Sequence, residues 1–379
     1  MRVPFSAPWI SMNDKRAVLS ALSQRWLTGG PKTLRFEQSF AAQIGVKYAI
    51  AVNSCTSALH LAMRALNVGP GDEIIVPTLT FVATANAAIL CGAKPVLADV
   101  DERTLCISAK DILPKISART KGIVVVHYAG QPCDMDEILS IAKKKKLFVV
   151  EDCAHSLGAK YGRHETGSLG TAGCFSFYPT KNITTLEGGM ITTDNSNIAK
   201  SAMLLRNHAM SRSAQNRESI GNWYYDVMDL GDNFRLNEIQ SALGISQLRR
   251  LRTMNAMRAR AARVYTKILA SVKGILTPYE AGKRTHAYHL YVVRVLKERF
   301  GLSRDELYTR LVQRGIGLSV HYTPLHRLTF YKKFVGVHGN FPVADKVYPE
   351  LLSLPIYPAI RMKQIEYVTE QIMKCQASP

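Results

Sequence analysis

Several familiar features are missing from this sequence, and each gap removes a class of explanation. No apolar run approaches the roughly 20 residues that a helix needs to cross a bilayer, so no membrane-spanning helix is expected. The seven cysteines are odd in number, dispersed and never spaced C-x-x-C, which argues against a disulfide framework and a zinc site and for a reducing compartment. Neither a Walker lysine motif nor G-x-G-x-x-G occurs, so a nucleotide P-loop and a dinucleotide fingerprint are disfavoured. There is no internal repeat and no low-complexity stretch. The first 16 residues hold no continuous apolar segment of the secretory kind, and the expected location is the cytoplasm.

Acidic charge is the other scarcity. Only 29 Asp and Glu stand against 49 Lys and Arg, a formal net charge of +20. Such a surplus attracts nucleic acid, an anionic membrane surface or a phosphorylated small molecule. The basic residues are scattered, however, and the single run, residues 143–146, closes an expected helix whose dipole cations complement. No nucleic-acid-binding motif accompanies it, so neither nucleic acid nor membrane is an expected partner.

With 47% apolar and 21% charged residues, the composition is that of a globular protein. A chain of 379 residues exceeds the size at which single cores stop growing, so a large domain, 1–249, and a smaller one, 250–379, are expected. Apolar strands at 48–52, 73–76, 95–100, 122–126 and 147–151 alternate with helices near 57–66, 81–91, after 108 and at 135–146. Strands that are apolar throughout, such as GIVVV and LFVV, suit a parallel sheet covered on both faces, and the class is α/β. Residues 237–269 read as one long basic helix bridging the domains. Beyond it come strands at 288–295 and 318–322, a helix opened by the capping box of Ser303 and Glu306, and a final helix near 363–375, an α+β unit.

Ligands of such sheets bind beyond the carboxyl ends of the strands, and the chemistry-bearing residues cluster there. The polar turn 53–56 sits between a strand and a helix N-terminus, a natural anion site. Phe81 follows the next strand, and Asp152 ends another, with His155 three residues on. Residues 174–190, CFSFYPTKNITTLEGGM, place Lys181 in a turn between two strands, beside Gly188 and Gly189. A lysine held and partly desolvated in this way is a candidate Schiff-base nucleophile. Together Thr56, Ser57, Phe81, Asp152, Ser176 and Lys181 offer one group for each feature of pyridoxal 5'-phosphate (PLP): phosphate, flat ring, basic ring nitrogen and aldehyde.

The motifs WLTGGP, NSCTSALHLA, GDEIIVPTLTFVATANA, EDCAHSLGA, FSFYPTKNITTLEGGM, LGDNFRLNEIQSAL, HAYHLY and RGIGLSVHY follow the order of the DegT nucleotide-sugar aminotransferase family of fold-type I PLP enzymes, which the chain resembles nearly end to end. The resemblance implies that Lys181 joins the cofactor aldehyde, Asp152 keeps the pyridine nitrogen protonated, and His155 lies near the ring hydroxyl. It implies that Phe81 stacks on the ring and that Thr56, Ser57 and Ser176 hold the phosphate. Asn233 would reach the phosphate of a neighbouring subunit's cofactor, giving a homodimer with interfacial sites, while Thr28 and His321 would contact the substrate. The implied reaction moves an amino group from glutamate to a ketosugar, expectedly a 4-keto sugar, on a nucleoside diphosphate, for polysaccharide synthesis. Cys55 stands where glycine is frequent, His155 where glutamine is common, and Leu186 where a small residue precedes EGG. Related dehydratases carry histidine at the lysine position, so Lys181 points to amino transfer. Two rivals remain open at this stage: a PLP enzyme of free amino acids, and a non-catalytic regulator or nucleic-acid-binding protein with the same fold.

Overall fold

The computed structural model describes residues 1–211, 223–335 and 339–377. Its organising element is a seven-stranded sheet built from β1 (Tyr48–Val52), β2 (Glu73–Pro77), β3 (Lys94–Ala98), β4 (Thr120–Val126), β5 (Phe148–Asp152), β8 (Ala172–Ser176) and β9 (Gly189–Thr193). Between β5 and β8 lie two short strands, β6 (Lys160–Tyr161) and β7 (His164–Glu165), which pair as a hairpin. The spatial order is β1-β9-β8-β5-β4-β2-β3. Pairings from β8 through β3 are parallel; β9 runs antiparallel to both β8 and β1. The five parallel strands match the apolar runs of the sequence because helices cover both faces and no solvent-facing row of polar residues is required.

Local chemistry sets several of these elements. Gly122 lets β4 lie against β5, since a Cβ there would come within 2.1 Å of the Phe148 ring. The buried Glu151 carboxylate accepts N–H bonds from Gly167, Leu169 and Gly170 at 2.7–2.9 Å and pairs with His127, pinning the glycine-rich loop after β5 to the sheet. The connection from β5 to β8 also contains the β6–β7 hairpin, extended by Arg284–Thr285.

A second, three-stranded antiparallel sheet joins Ile275–Leu276, Tyr291–Val295 and Leu351–Leu354. Around it, a separate apolar cluster takes Tyr265, Leu307, Ile365 and Cys375, and also Val3, whose backbone bridges to Ile316. Traffic runs the other way too: Tyr331, Phe341 and Val347 pack into the core of the large sheet.

Two expectations are corrected. The long basic helix is two helices, Glu238–Leu248 and Leu251–Leu269. No Gly or Pro marks the break; it falls where Arg250 turns inward to the Trp9 carbonyl (2.9 Å) and the buried Asp14 carboxylate (2.6 Å), a tertiary tie invisible in local sequence. Residues 318–322 make no strand: Ser319 bridges singly to Ser353, and the backbone then leaves the sheet to carry His321 and Tyr322 elsewhere.

Candidate active site

The elsewhere is a cavity of about 490 Å³ at the carboxyl ends of the parallel strands. Its walls include Thr56, Phe81, Asp152 and Ser176. His155, Lys181 and His321 complete the set of sequence-derived residues that reach it.

Asp152 closes β5 with its side chain almost fully buried. One carboxylate oxygen accepts from Thr84 Oγ1 at 2.8 Å and the other from the Ala154 N–H at 3.1 Å. Burial pushes its pKa above the ordinary value; these bonds and the charges of Lys181 and His127 work in the opposite direction. Lys181 lies in the connection between β8 and β9, its N–H donating to the Tyr178 carbonyl at 2.9 Å. Burial pulls its ammonium down to about 8, with Cys55 and Asp152 opposing that drop. The two groups are therefore near enough for each to feel the other's charge.

The lysine connection is anchored from outside the sheet. Arg258, fully buried on the helix Leu251–Leu269, donates to the carbonyls of Thr180, Tyr288, His289 and Ile356 at 3.1–3.3 Å. Burial lowers its pKa to about 10, so it is a cation at neutral pH. This ties the backbone beside Lys181 to the segment that presents His289, whose Nε2 lies 3.4 Å from Lys181 Nζ. His289 Nδ1 is shielded from solvent and has no hydrogen-bond partner.

His155 is buried, and desolvation, reinforced by Lys181 and His321, holds its pKa well below the ordinary value. Its Nδ1 accepts from the Ala129 N–H at 3.3 Å, so in the neutral ring the proton sits on Nε2, 2.9 Å from the Tyr322 hydroxyl. The Tyr322 oxygen therefore accepts, which leaves its own proton for another acceptor. Tyr322 also stacks on His155, with centroids 5.9 Å apart at 21°, and lies 5.7 Å from Phe81. Phe81 is 54% exposed, an aromatic face turned to open space rather than to the core. His321 is held through Nδ1 by Ser353 Oγ at 2.8 Å, and burial lowers its pKa to about 4.

At the anion turn, Ser54 caps the helix Cys55–Ala65 by accepting from the Ser57 N–H at 3.1 Å. Gly189 of β9 packs hard against this turn; a Cβ there would come within 2.5 Å of the Ser54 carbonyl. Ser57 itself does not line the cavity: its hydroxyl donates to Asn53 Oδ1 at 2.6 Å, behind the wall. Thr28 and Asn233 also lie outside the cavity of their own chain. Thr28 bridges to Asn237, and exposed Asn233 bridges to Asn207 while accepting from Arg235 Nε at 3.0 Å.

These donors fit PLP. A buried carboxylate suits a basic ring nitrogen, a desolvated amine suits an aldehyde, Phe81 offers a ring face, and Thr56 and Ser176 flank a helix start suited to a phosphate. Sequence reasoning missed Tyr322, Thr84, His289 and Arg258. Tyr322 adjoins His321 and His289 sits in HAYHLY, so both had a local signal; Arg258, one cation of a basic helix, had none.

Residues 8–373 match the DegT/DnrJ/EryC1/StrS aminotransferase family. Spore coat polysaccharide biosynthesis protein SpsC of Bacillus subtilis is 43% identical over 373 residues, covering 98% of this chain and 96% of that protein. Helicobacter pylori PseC, an aminotransferase involved in the biosynthesis of pseudoaminic acid, superposes with a TM-score of 0.93 at 31% identity over 100% of both chains. Spr1654 from Streptococcus pneumoniae, in its PLP-form, gives 0.93 at 29% identity, covering 100% of this chain and 99% of that one. The chain belongs to the DegT/DnrJ/EryC1/StrS aminotransferase family and is a PLP-dependent aminotransferase of fold type I.

Proposed function

We propose that this enzyme transfers an amino group from glutamate to a 4-keto sugar carried on a nucleoside diphosphate, in cytoplasmic synthesis of a cell-surface polysaccharide. The observation that carries the amino transfer is the shared cavity of Lys181 and Asp152. The sugar assignment is supported by the relatives: SpsC acts in spore coat polysaccharide biosynthesis and PseC in that of pseudoaminic acid.

When bound, PLP supplies an aldehyde that takes up nitrogen and a protonated ring that accepts the electron pair left at carbon. Asp152 would keep the proton on the ring nitrogen, and its burial would make that charge pairing stronger than it would be in water. With its pKa at about 8, about one Lys181 in ten is neutral at pH 7 and able to attack carbonyl carbon or take a proton. An ordinary lysine would be neutral far less often. His289 Nε2 lies 3.4 Å from the same amine, and Tyr322 offers a hydroxyl proton next to His155. Phe81 and His321 line the cavity that a sugar would enter. Asn233 and Thr28, outside this cavity, are proposed to act on the site of a second subunit and on the substrate respectively. Homodimer formation is supported by the exposed segment holding Trp223 (84% exposed) and Leu230 (81%), an apolar surface suited to a second copy. The unit 1–249 is proposed as the cofactor domain and 250–379 as its smaller partner.

The test is a half-reaction screen. PLP-loaded protein is treated with glutamate until its visible band is lost, and UDP-, GDP- and dTDP-linked ketosugars are added singly. Recovery of the band with one of them is expected. Recovery with none of them, together with carbon dioxide or sulfide release from free amino acids, would overturn the sugar assignment.

A further inference from the structure

A second cavity, about 510 Å³, lies among the helices Met12–Leu22, Pro31–Ile44 and Glu238–Leu248 and the Arg249–Arg250 break. It shares no lining residue with the active cavity. Arg16, Lys32, Arg35, Arg249 and Arg250 line it, and no acidic side chain does. The nearby acids are already engaged. Asp14 is buried and accepts from Ser11, Ser246, Gln247 and Arg250; Glu238 accepts from the N–H groups of Gly30, Lys32 and Thr33. Arg250 is consequently fixed at the wall, stacked 4.6 Å from the Trp9 ring, yet its Nε–H is shielded and has no partner. The side chains of Arg16, Lys32, Arg35 and Arg249 make no ion pair with a described residue.

Arg250 already has Asp14 as its counter-ion, but the other four cations on this concave wall repel each other, and an anion entering the hollow brings them a net gain. Planar guanidinium groups match phosphate oxygens in pairs, and the volume falls in the range of small-molecule sites. Ala17, Ala242 and Ile245 give an apolar floor beside the cations, while Ser20 and Ser246 add hydroxyls. A copy of this patch is a poor occupant, because a two-fold contact would set the same cations face to face.

We propose that this cavity binds a small molecule carrying a diphosphate, the arginines and Lys32 holding the phosphates and the apolar floor receiving the remainder. The site is independent of the catalytic reading. A nucleoside diphosphate and inorganic pyrophosphate share the required chemistry.

Titration calorimetry on PLP-loaded protein tests it, with inorganic pyrophosphate as the primary probe and UDP, uridine and sulfate beside it. Pyrophosphate is expected to bind, uridine not, and sulfate much more weakly. UDP binding tighter than pyrophosphate, and weakened with it in the double variant below, identifies a nucleotide as the occupant of this cavity; equal affinity identifies the diphosphate alone. Arg35→Gln/Arg249→Gln should weaken pyrophosphate about 100-fold, about tenfold for each lost charge-assisted contact. The melting temperature without ligand checks that the double variant is folded. Hydrogen exchange on the unaltered protein reads the place directly: pyrophosphate should slow exchange in residues 12–22 and 238–250. The proposal is overturned by no pyrophosphate binding, by equal binding of sulfate, by unchanged affinity in the folded double variant, or by protection confined to the active cavity.

Discussion

Two cavities of nearly equal size, about 490 and 510 Å³, put charge to opposite uses. In the first, the lysine and the aspartate are buried; in the second, Arg16, Arg35 and Arg249 are exposed to water. Burial penalises a charged group and moves its proton equilibrium, which suits bond making. Solvated guanidinium groups keep their charge and gain only by meeting an anion, which suits recognition. The dry cavity therefore depends on single atoms, and the wet one on a sum over several side chains.

The largest effect should come from the most buried amine. Lys181→Ala should reduce turnover to background and abolish the visible band that depends on the cofactor's bond to this lysine; an active variant would break the contrast at once. Next, Asp152→Asn keeps the shape and an acceptor for Thr84 but loses the charge. It should lower kcat on the order of 10²–10³-fold while leaving the melting temperature unchanged or higher, because the buried charge is gone. A fall in stability with little change in rate would make Asp152 structural instead.

Acid should act on the buried histidines, three of which (His155, His289 and His321) line the first cavity and one of which (His286) is buried outside its lining, more than on the wet cavity. His321 and His286 have folded pKa values lowered to about 4 and about 3, while the unfolded chain protonates near 6.5. The unfolded state thus binds more protons below 6.5, so stability is fully present above that pH. It is lost as pH falls toward 4 and 3, by about 1.4 kcal/mol per unit for each histidine. His155 and His289 are lowered in the same direction. Melting curves from pH 7.5 to 5 should show a steep drop that His321→Asn makes shallower.

Arg258 sharpens the comparison from the other side, being a buried cation that does structural work. Arg258→Met leaves four carbonyls without their donor and should cost about 2–5 kcal/mol, read in denaturant melts. Arg258→Lys should recover only part of this, because an ammonium cannot fork to four oxygens. The smallest effect is that of salt on the pH midpoint of PLP attachment to the PLP-free protein. From 0.05 to 0.5 M it should stay near 8, since desolvation and not long-range charge sets it. A midpoint that rose toward 10.5 with salt would mean that Lys181 is hydrated.

Much of this molecule was readable from its chain because the relevant signals are local. Apolar runs marked the parallel strands to within a few residues, and the glycines around Lys181 announced a close-packed turn. The capping box at Ser303 placed a helix start where Arg304–Gln313 begins. The residues that reach the cavity from strand ends, Asp152, Ser176 and Lys181, were legible for the same reason: a parallel sheet delivers its carboxyl ends to one edge. Tertiary structure decided the rest. It broke the basic helix at Arg250, brought Tyr322 onto His155 and drove Arg258 into the core. It also gathered five dispersed cations around one hollow. These outcomes depend on which side chains meet across 30 to 240 residues of chain, where a partner's distance and the exclusion of water govern charge, and neither quantity is written in any local stretch.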